Sequence, residues 1–423
     1  MSVDRIKLPK GDIEILRRLA ERKVKIANDP VNVERREAWY RHDAGMSGRP
    51  MILAEMGGVQ DKNKVFTMVN ACTDPWAQGI EWGMNCEMFQ FESLRDDHVI
   101  DANFNTGWWV NGTDYGVRAV THQGDNDGRM SSRRWDPPIV DFDKDFPKLR
   151  QRTWTVNREG SLENRDRLEA LFSGILPVRM RGGYWWTMGL TWSAIDLIGL
   201  DNLMLWMYDN PQGLHKLMGF LRDDHLAYAH WLEKEGLLAL NNENDYIGSG
   251  AMGYSRDLPQ PGRAVGDQIR TEDQWVLLES QETVGVGPEL FEEFIFPYQL
   301  SIAEEFGKVY YGCCEPVHNR WHVLKKLPHM ARVSISPWAD EKFMAEALGK
   351  NIVYSRKPNP TLISTTKFDE QAIRDDLKKT LTIARGCRVE LIMKDVHTLS
   401  EEPARLARWV QLARETVKEV HGK

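Results

Sequence analysis

Cysteine is scarce in this chain: five thiols in 423 residues are too few for the disulfide framework of a secreted protein. Uncharged apolar runs long enough to span a bilayer are missing, which excludes a transmembrane segment. Basic residues are not in excess, since 55 Lys and Arg face 62 Asp and Glu, and a nucleic-acid-binding surface is therefore not expected. The first residues (MSVDRIKLPKGD) contain no apolar signal core. These absences predict a cytoplasmic protein that binds neither nucleic acid nor a membrane.

Several catalytic motifs are absent as well. The chain has no phosphate-cradling loop of the Walker type, no Gly-x-Gly-x-x-Gly that opens a helix after a strand, and no nucleophile elbow. No period of twenty to fifty residues recurs, which argues against solenoids and propellers. What is present is an ordinary apolar content of 42% and an excess of tryptophan, 16 residues against 11 Tyr and 14 Phe.

The apolar pattern predicts an α/β fold, specifically a (β/α)8 TIM barrel over residues 49–423 preceded by an N-terminal helical extension at 1–48. The extension has apolar residues at helical spacing up to Pro30. Between the later strands lie amphipathic segments, one kinked by Pro297 and the last capped by Ser400. Eight nearly continuous apolar runs that end in polar residues are typical of strands buried on both faces. They are residues 50–57, 177–183, 237–244, 275–282, 309–315, 332–340, 352–358 and 388–395.

A large insertion follows the first strand. Residues 58–176 are rich in Trp, Asn, Gly and Asp, and residues 102–120 suggest a β-hairpin that turns at Asn111-Gly112. We expect this insertion to cap the mouth of the barrel. Trp108-Trp109 within it, and Trp185-Trp186 after the second strand, would then form an aromatic lid suited to a flat guest. The alternative is that these tryptophans fill the space between insertion and barrel.

Ionisable residues collect at the carboxyl ends of the predicted strands, where barrel enzymes place their chemistry. The alternative is that loops begin with polar residues in any protein. The residues are Glu55, Arg181, Glu243, Glu279, Glu282, Cys313, Cys314, Glu315, Asp340, Arg356, Lys357, Asp395 and His397.

Cys313 is the candidate with the clearest chemistry. A thiolate at the reactive end of a strand can bind zinc together with a carboxylate and an imidazole, although a strand cysteine is more often a small buried hydrophobe. Asp395 and His397 lie on one face if the eighth strand continues through them. Cys387 precedes that strand and is expected at the opposite rim. The run Asp395-Val396-His397 also partly matches a cobalamin-binding pattern, but Ser400 stands where that pattern has glycine, and only 23 residues follow Ser400, too few for the domain that would hold the cofactor.

Five segments together resemble the uroporphyrinogen decarboxylase superfamily. They are LFEEFIFPY at 290–298, YYGCCEP at 310–316, VSISPWAD at 333–340, KPNP at 357–360 and ARGCRVELIMKDVHT at 384–398. The chain looks most like the branch that contains corrinoid-protein methyltransferases of O-demethylase systems. The decarboxylase itself fits poorly, because the first strand ends in Glu55-Met56-Gly57-Gly58 without arginine, and an acidic mouth repels a polycarboxylate substrate.

The resemblance implies a methyltransferase that moves a methyl group from a methoxylated aromatic compound to the Co(I) of a separate corrinoid-binding protein. Related thiol methyltransferases hold zinc through a His-x-Cys pair, of which Tyr311-Gly312-Cys313 keeps the cysteine. The expected zinc ligands are Cys313, Glu279 and His397, with Asp395 competing. A site with more oxygen and nitrogen ligands would be a harder Lewis acid, suited to an ether oxygen.

The remaining expected roles concern proton transfer and substrate binding. Tyr311, expected on the same strand face as Cys313, would donate to the leaving oxygen, with Glu279, Asp395 and His397 as further catalytic residues. Arg181 would hold a benzoate carboxylate, beside Trp185, Trp186 and Glu55. Two rivals stay open: a metal-free lyase or decarboxylase, and a non-catalytic corrinoid- or ligand-binding scaffold. The methyl donor, a homodimer, and the roles of Cys314 and Glu315 are also left open.

Overall fold

The computed structural model describes residues 6–46, 48–61, 64–66, 70–124, 133–184, 187–264 and 266–422. The strands in chain order are β1 Met51–Ala54, β2 Phe104–Gly107, β3 Trp109–Gly112, β4 Val120–Gln123, β5 Arg133–Asp136, β6 Trp154–Asn157, β7 Val178–Arg181, β8 Tyr246–Gly248, β9 Ala251–Met252, β10 Trp275–Leu278, β11 Lys308–Tyr311, β12 Met330–Ile335, β13 Val353–Arg356 and β14 Val389–Met393.

The α-helices in chain order are α1 Lys10–Ala27, α2 Pro30–Asp43, α3 Pro75–Phe89, α4 Phe142–Asp145, α5 Arg158–Leu171, α6 Thr191–Ile198, α7 Leu200–Asp209, α8 Pro211–Lys234, α9 Pro288–Phe294, α10 Phe296–Ala303, α11 Trp321–Leu324, α12 Glu341–Leu348, α13 Thr361–Ser364, α14 Glu370–Ile383 and α15 Ala404–His421. None of the described helices combines the length and the hydropathy that a bilayer crossing requires.

A six-stranded parallel sheet organises the α/β fold, in the order β1-β14-β13-β12-β11-β10. Met51 lies opposite Glu390 at one edge and Trp275 opposite Lys308 at the other, and the register shifts once, between Val309 and Tyr310 in the β11–β12 pair. The strands are buried on both faces, as their apolar sequences predict. Six of the eight predicted strands therefore join one sheet.

The other two predicted strands do not close the sheet into a hydrogen-bonded barrel in the described part of the chain. β7, in the second predicted strand, pairs with β2 of the insertion, and no strand forms within residues 237–244. The reason lies at the edge of β1. Asp97 donates its N–H to the carbonyl of Ile52 at 2.8 Å and accepts the Ile52 N–H on its side chain at 2.7 Å. Asp96 accepts the N–H of Ala54 at 2.9 Å. These bonds occupy edge positions that a second strand would need.

The opposite edge, on β10, is covered in a similar way. The amide side chain of Asn241 donates to the carbonyl of Trp275 at 3.0 Å and accepts the Trp275 N–H at 2.8 Å. Further along the strand, Met188 donates its N–H to the carbonyl of Leu277 at 2.9 Å. A side-chain amide and an irregular loop thus replace the third strand, which explains why residues 237–244 form none.

The two faces of the sheet pack differently. The inner face carries Trp275, Leu277, Tyr310 and Ile392, and it is filled by the β8–β9 hairpin, whose Ile247 and Ala251 join the same apolar cluster. The outer face packs against the helices in a larger cluster. Alternate residues of each strand therefore point to the hairpin or to the helices, and this alternation decides which side chains can meet.

The amino ends of the strands are covered by α2. Pro30 begins this helix, with Asp29 accepting the N–H of Val31 as its cap, so the proline starts a second helix where the first ends. Trp39 of α2 is fully buried in the inner-face cluster. The helices predicted within residues 1–48 are thus present. The division into an extension, a barrel at 49–423 and an insertion at 58–176 stays a prediction.

The hairpin predicted at residues 102–120 is wrong. β3 pairs antiparallel with β6, with Asn111 opposite Thr155, and β4 pairs with β5. Gly112 is not a turn residue: a β-carbon there would lie 2.9 Å from Cδ1 of Trp154, so the close approach of this ring explains the glycine.

Two predictions about helices have opposite outcomes. The kink at Pro297 is confirmed, because α9 and α10 are separate helices that meet at Ile295. The cap at Ser400 is wrong. Its hydroxyl donates to the carbonyl of Ser364 at 3.0 Å, and α15 begins after Pro403 without a side-chain cap.

Candidate active site

The carboxyl end of β14 places a lysine, not the predicted acid and imidazole, above the inner face. Glu390 and Ile392 point inward, and the alternation continues to Lys394, which is buried. The strand ends at Met393, and Asp395 has a positive φ of 56°. His397 is exposed beyond this turn. The expectation that Asp395 and His397 share one strand face is wrong, because the strand does not continue through them.

Two adjacent thiols meet this lysine. The Sγ atoms of Cys313 and Cys314 lie 3.6 Å apart, and Lys394 Nζ lies 3.5 Å from Cys313 Sγ. Asp395 is close to Cys314 and to Lys394: its Oδ2 is 3.6 Å from Cys314 Sγ and 3.3 Å from Lys394 Nζ. We call these four residues the rim group. Cys313 is buried, whereas Cys314 is exposed.

Gly312 and Glu315 hold the thiols in place. Gly312 has a φ of 93°, which turns the chain directly after β11. The carboxylate of Glu315 accepts the Cys313 N–H at 2.8 Å and the Ser280 N–H at 2.9 Å. It therefore ties the loop after β11 to the loop after β10, and gives Glu315 a positioning role that was left open from the sequence.

The rim group is electrostatically coupled. The hydrogen bond from Cys314 lowers the pKa of Cys313, against the opposing effect of burial and with help from the Lys394 charge. The same bond and burial raise the pKa of Cys314. Burial works against the charge of Lys394, yet Cys313, Asp395 and Glu55 outweigh it and raise the pKa of this lysine. The lowered pKa of Cys313 and the raised pKa of Lys394 both shift these groups towards their charged forms, a thiolate and an ammonium.

A second buried lysine points to the inner face from the end of β13. Lys357 Nζ donates to the hydroxyl of Tyr310 at 2.8 Å and to the carbonyl of Ser355 at 3.0 Å. Burial lowers its pKa to about 7, despite Glu390. This amine changes charge near neutral pH, a property often found in active sites.

Glu55 lies where it was predicted, directly after β1. Burial raises its pKa, although the neighbouring Lys394 lowers it in part. The turn of the β8–β9 hairpin passes close by, because a β-carbon on Gly250 would lie 2.9 Å from Glu55 Oε1. The hairpin therefore bounds the site on this side. Ser249 in the same turn is buried, and its hydroxyl has no hydrogen-bond partner among the residues that the structure describes.

Glu279 and Glu282 follow β10. Thr187 donates to Glu279 Oε1 at 3.2 Å and the Gln281 N–H donates to Oε2 at 3.0 Å, while Thr191 donates to Glu282 at 2.6 Å. Burial, followed by the charge of Glu282, raises the pKa of Glu279 well above its ordinary value. Burial also raises the pKa of Glu282. Glu279 is thus driven towards a neutral acid, the form that binds metals least.

The side chains expected to bind zinc have other neighbours in the structure. Across the described ranges, no group of three or more His, Cys, Asp or Glu side chains has an arrangement that could hold a metal. Glu279 is already bound by its own neighbours, His397 is exposed beyond the Asp395 turn, and the cation beside Cys313 is Lys394. Zinc therefore stays a prediction of the resemblance, for which metal analysis is the test.

Tyr311 belongs to the other face of the sheet. Tyr310 points inward, and Tyr311 packs with the helix-side cluster, where its hydroxyl donates to the side-chain oxygen of Gln299 at 3.3 Å. Burial, with Glu315 nearby, raises its pKa well above the ordinary value. The hydroxyl that points to the inner face is that of Tyr310.

The predicted substrate-binding residues have mixed placements. Arg181 is paired with Asp245 and donates to the carbonyl of Leu240 at 2.7 Å. Trp185 and Trp186 lie outside the described residues. Trp109 is exposed, and Trp108 packs in an apolar cluster with residues of α8.

An aromatic cavity of about 630 Å³ lies between the insertion and helices α6 and α8. Thr187 lines it and also binds Glu279, so the cavity adjoins the carboxyl end of β10. Its aromatic lining consists of Tyr115, Trp154, Tyr184, Trp192 and Tyr228.

Lys394 and an acid–imidazole pair were missed from the sequence, and Lys357 was noted there only as one of the ionisable residues at the strand ends, without a role. Lys394 could have been found from the two-residue alternation that runs through Glu390 and Ile392. The imidazole of His98 is hydrogen-bonded to the carboxylate of Asp96 at 2.7 Å. Burial alone would lower the pKa of His98, but the charge of Asp96 and this hydrogen bond outweigh burial and raise it. Nothing in the sequence around residues 90–98 signals this pair.

No family model matches the chain, and no curated protein matches it. Among solved structures, one similar chain is a methyltransferase from Methanosarcina mazei, with 11% identity and a TM-score of 0.47, over 90% of this chain and 98% of the other. At that identity and score the likeness supports no inference about activity.

Proposed function

We propose that the chain is a methyltransferase that takes a methyl group from a methoxylated aromatic compound and passes it to the Co(I) corrinoid of a separate protein. The observation that carries the proposal is the ammonium of Lys394, fixed 3.5 Å from the Cys313 thiol at the carboxyl end of a parallel sheet. The reaction class comes from the sequence resemblance over residues 230–420. The partner's corrinoid would supply the nucleophile for the methyl carbon.

Lys394 is suited to the leaving group of this reaction. Cleavage of an aryl methyl ether releases a phenolate, and negative charge develops on the ether oxygen as the methyl group departs. A preorganised ammonium in a buried site stabilises such a charge far better than water does. Because the pKa of Lys394 is raised against the effect of burial, the charge persists at neutral pH. Lys394 thus supplies the positive charge that was expected from zinc.

Cys313 and Asp395 act through Lys394 in this proposal. The thiolate and the carboxylate lie 3.5 and 3.3 Å from its Nζ, which limits the directions in which the ammonium can point. We therefore assign them positioning roles. Glu55, with its raised pKa, is an acid next to the same ammonium and can return a proton to the departing phenolate.

The aromatic cavity supports the choice of substrate class. Its volume of about 630 Å³ falls in the range of small-molecule sites, and aromatic walls favour a flat ring. Arg152, which lines it, is held by the buried Asp224 at 2.6 Å and is therefore not free to hold a substrate carboxylate.

The test is a spectroscopic assay with a purified corrinoid protein reduced to Co(I) and a panel of methoxybenzoates. We expect the corrinoid spectrum to change on methylation with at least one ether, and the change to need this chain. Lys394→Met should slow this change by about 10²–10³-fold, while Cys387→Ser, far from the rim group, should leave its rate unchanged. No spectral change with any ether would refute the proposal.

A metal-free decarboxylase or lyase is the second candidate, and a specific observation favours it. Two buried lysines, Lys357 and Lys394, point to the same end of the inner face, where a substrate carboxylate would meet the ammonium of Lys394 and a second amine that it can keep protonated. This enzyme would release carbon dioxide or an alkene without any corrinoid protein. Product formation from a carboxylic acid in the absence of the partner would select this candidate over the methyltransferase.

A further inference from the structure

We propose that Cys313 and Cys314 form a reversible oxidation site, in which a hydroperoxide converts the two neighbouring thiols to a disulfide between them. The observation that carries it is the arrangement of the rim group: two sulfurs 3.6 Å apart, with an ammonium 3.5 Å from one of them. This inference does not depend on the methyltransferase proposal, because it concerns the thiols and not the substrate.

The two thiols differ in the way such a reaction needs. Lys394 favours the thiolate form of Cys313, and the thiolate is the species that attacks peroxides. Cys314 is exposed and lies beside the carboxylate of Asp395, at 3.6 Å, so it is kept as a thiol. Cys313 is therefore the attacking sulfur and Cys314 the resolving one.

The chemistry balances without a further reactant. The Cys313 sulfur attacks one oxygen of the hydroperoxide, an S–O bond forms, the O–O bond breaks, and the alkoxide leaves as an alcohol after taking a proton from water. The Cys314 sulfur then attacks the sulfenic sulfur of Cys313. An S–S bond forms, the S–O bond breaks, and the hydroxide leaves with the Cys314 proton as water. Two thiols lose two electrons, and the hydroperoxide is reduced to an alcohol and water.

The product should be easily reduced. Consecutive Cα atoms are about 3.8 Å apart, shorter than the roughly 4.4 to 6.8 Å that relaxed disulfides span, so a bond between neighbours is strained. Strained disulfides have more oxidising potentials than structural ones. The Cys313–Cys314 bond would thus form under peroxide and open again with a dithiol.

The experiment treats the reduced full-length protein with hydrogen peroxide, blocks the remaining thiols, and measures the mass of the peptide that contains residues 313 and 314. We expect a loss of about 2 Da that dithiothreitol reverses. Cys314→Ser should stop at the sulfenic acid, a gain of about 16 Da that dimedone traps. Cys313→Ser should show neither change, and Cys387→Ser should behave as the wild type.

Lys394→Met provides a second readout that does not depend on a cysteine variant. Removing the ammonium takes away the cation that lies 3.5 Å from the attacking sulfur, and it should slow the loss of about 2 Da by roughly tenfold at neutral pH. Three outcomes would each overturn the proposal. They are a stable sulfenic acid in the wild type, a disulfide that involves Cys72, Cys86 or Cys387 instead, and equal rates in the wild type and Lys394→Met. None of these outcomes changes the expected result of the methyl-transfer assay. One proposal can therefore be refuted while the other stands.

Discussion

Buried charges lie at both ends of the inner sheet face, and the two ends treat them differently. At the amino end, Arg332 pairs with Glu390 at 2.8 Å and with Asp43 at 3.3 Å, and Lys308 reaches Asp43 at 3.2 Å. We call these four residues the base network. Each cation faces an anion, α2 covers the group, and Arg332 and Glu390 are fully buried. At the carboxyl end, the rim group leaves Cys314 and Asp395 open to solvent.

The difference between the two ends indicates that the base network contributes to folding stability and the rim group to chemical reactivity. A paired and covered network gives each of its charged groups a partner, and removing one cation leaves a buried anion with less compensation. The rim group instead holds a thiol with a lowered pKa and a lysine with a raised one, which are the states of a nucleophile and a fixed cation. The base network should therefore control unfolding, and the rim group should control chemistry.

The largest effect is expected from Arg332→Met. Glu390 and Asp43 would remain buried without their shared cation, which should lower the free energy of unfolding by about 3–5 kcal/mol. Urea titration followed by tryptophan fluorescence measures this. A loss below about 1 kcal/mol would show that the base network does not hold the sheet ends together.

Lys394→Met is the matched change at the rim, the same replacement of a buried cation by an apolar chain. We expect methyl transfer to fall by about 10²–10³-fold, as for the loss of one charge-stabilising group. Cys313 can take up a proton and Asp395 is half exposed, so the unfolding free energy should change by less than about 1 kcal/mol. A large loss of stability with activity intact would reverse the comparison between the two ends.

Acid sensitivity is the third expected contrast. His42, next to the base network, is buried, and burial lowers its pKa to about 4. The unfolded chain binds a proton at this histidine near pH 6.5, so the folded state loses stability as the pH falls from about 6.5 to 4. His42 should account for about 2 kcal/mol between pH 7 and pH 5. Comparing urea unfolding of wild type and His42→Gln at both pH values isolates this contribution, and parallel losses in the two proteins would contradict it.

The sheet was largely predictable because its strands are continuous apolar runs, which can be recognised from the local sequence alone. The contacts at the two edges of the sheet could not be predicted in this way. Asp96 and Asp97 bind the backbone of β1 from 42 and 45 residues away, and nothing local shows that they replace a strand. The site followed the same division. Cys313 and Glu55 were found from their place at strand ends, whereas Lys394 matters through a thiol 81 residues distant.

The smallest effect is expected from Glu279→Gln. This variant tests whether the carboxyl end of β10 tolerates the loss of a carboxylate. The pKa of Glu279 is raised well above its ordinary value by burial and then by Glu282, so an amide replaces a group already driven towards neutrality. The side-chain N–H of the introduced glutamine can donate to the hydroxyl of Thr187, and its oxygen can accept the Gln281 N–H. We therefore expect the free energy of unfolding to change by less than about 1 kcal/mol. Glu315→Gln is the control, because that carboxylate accepts two backbone N–H groups, from Ser280 and Cys313, and an amide can accept only one of them. Its cost should be about 1–3 kcal/mol, and equal costs for the two variants would mean that Glu279 is ionised in the folded protein.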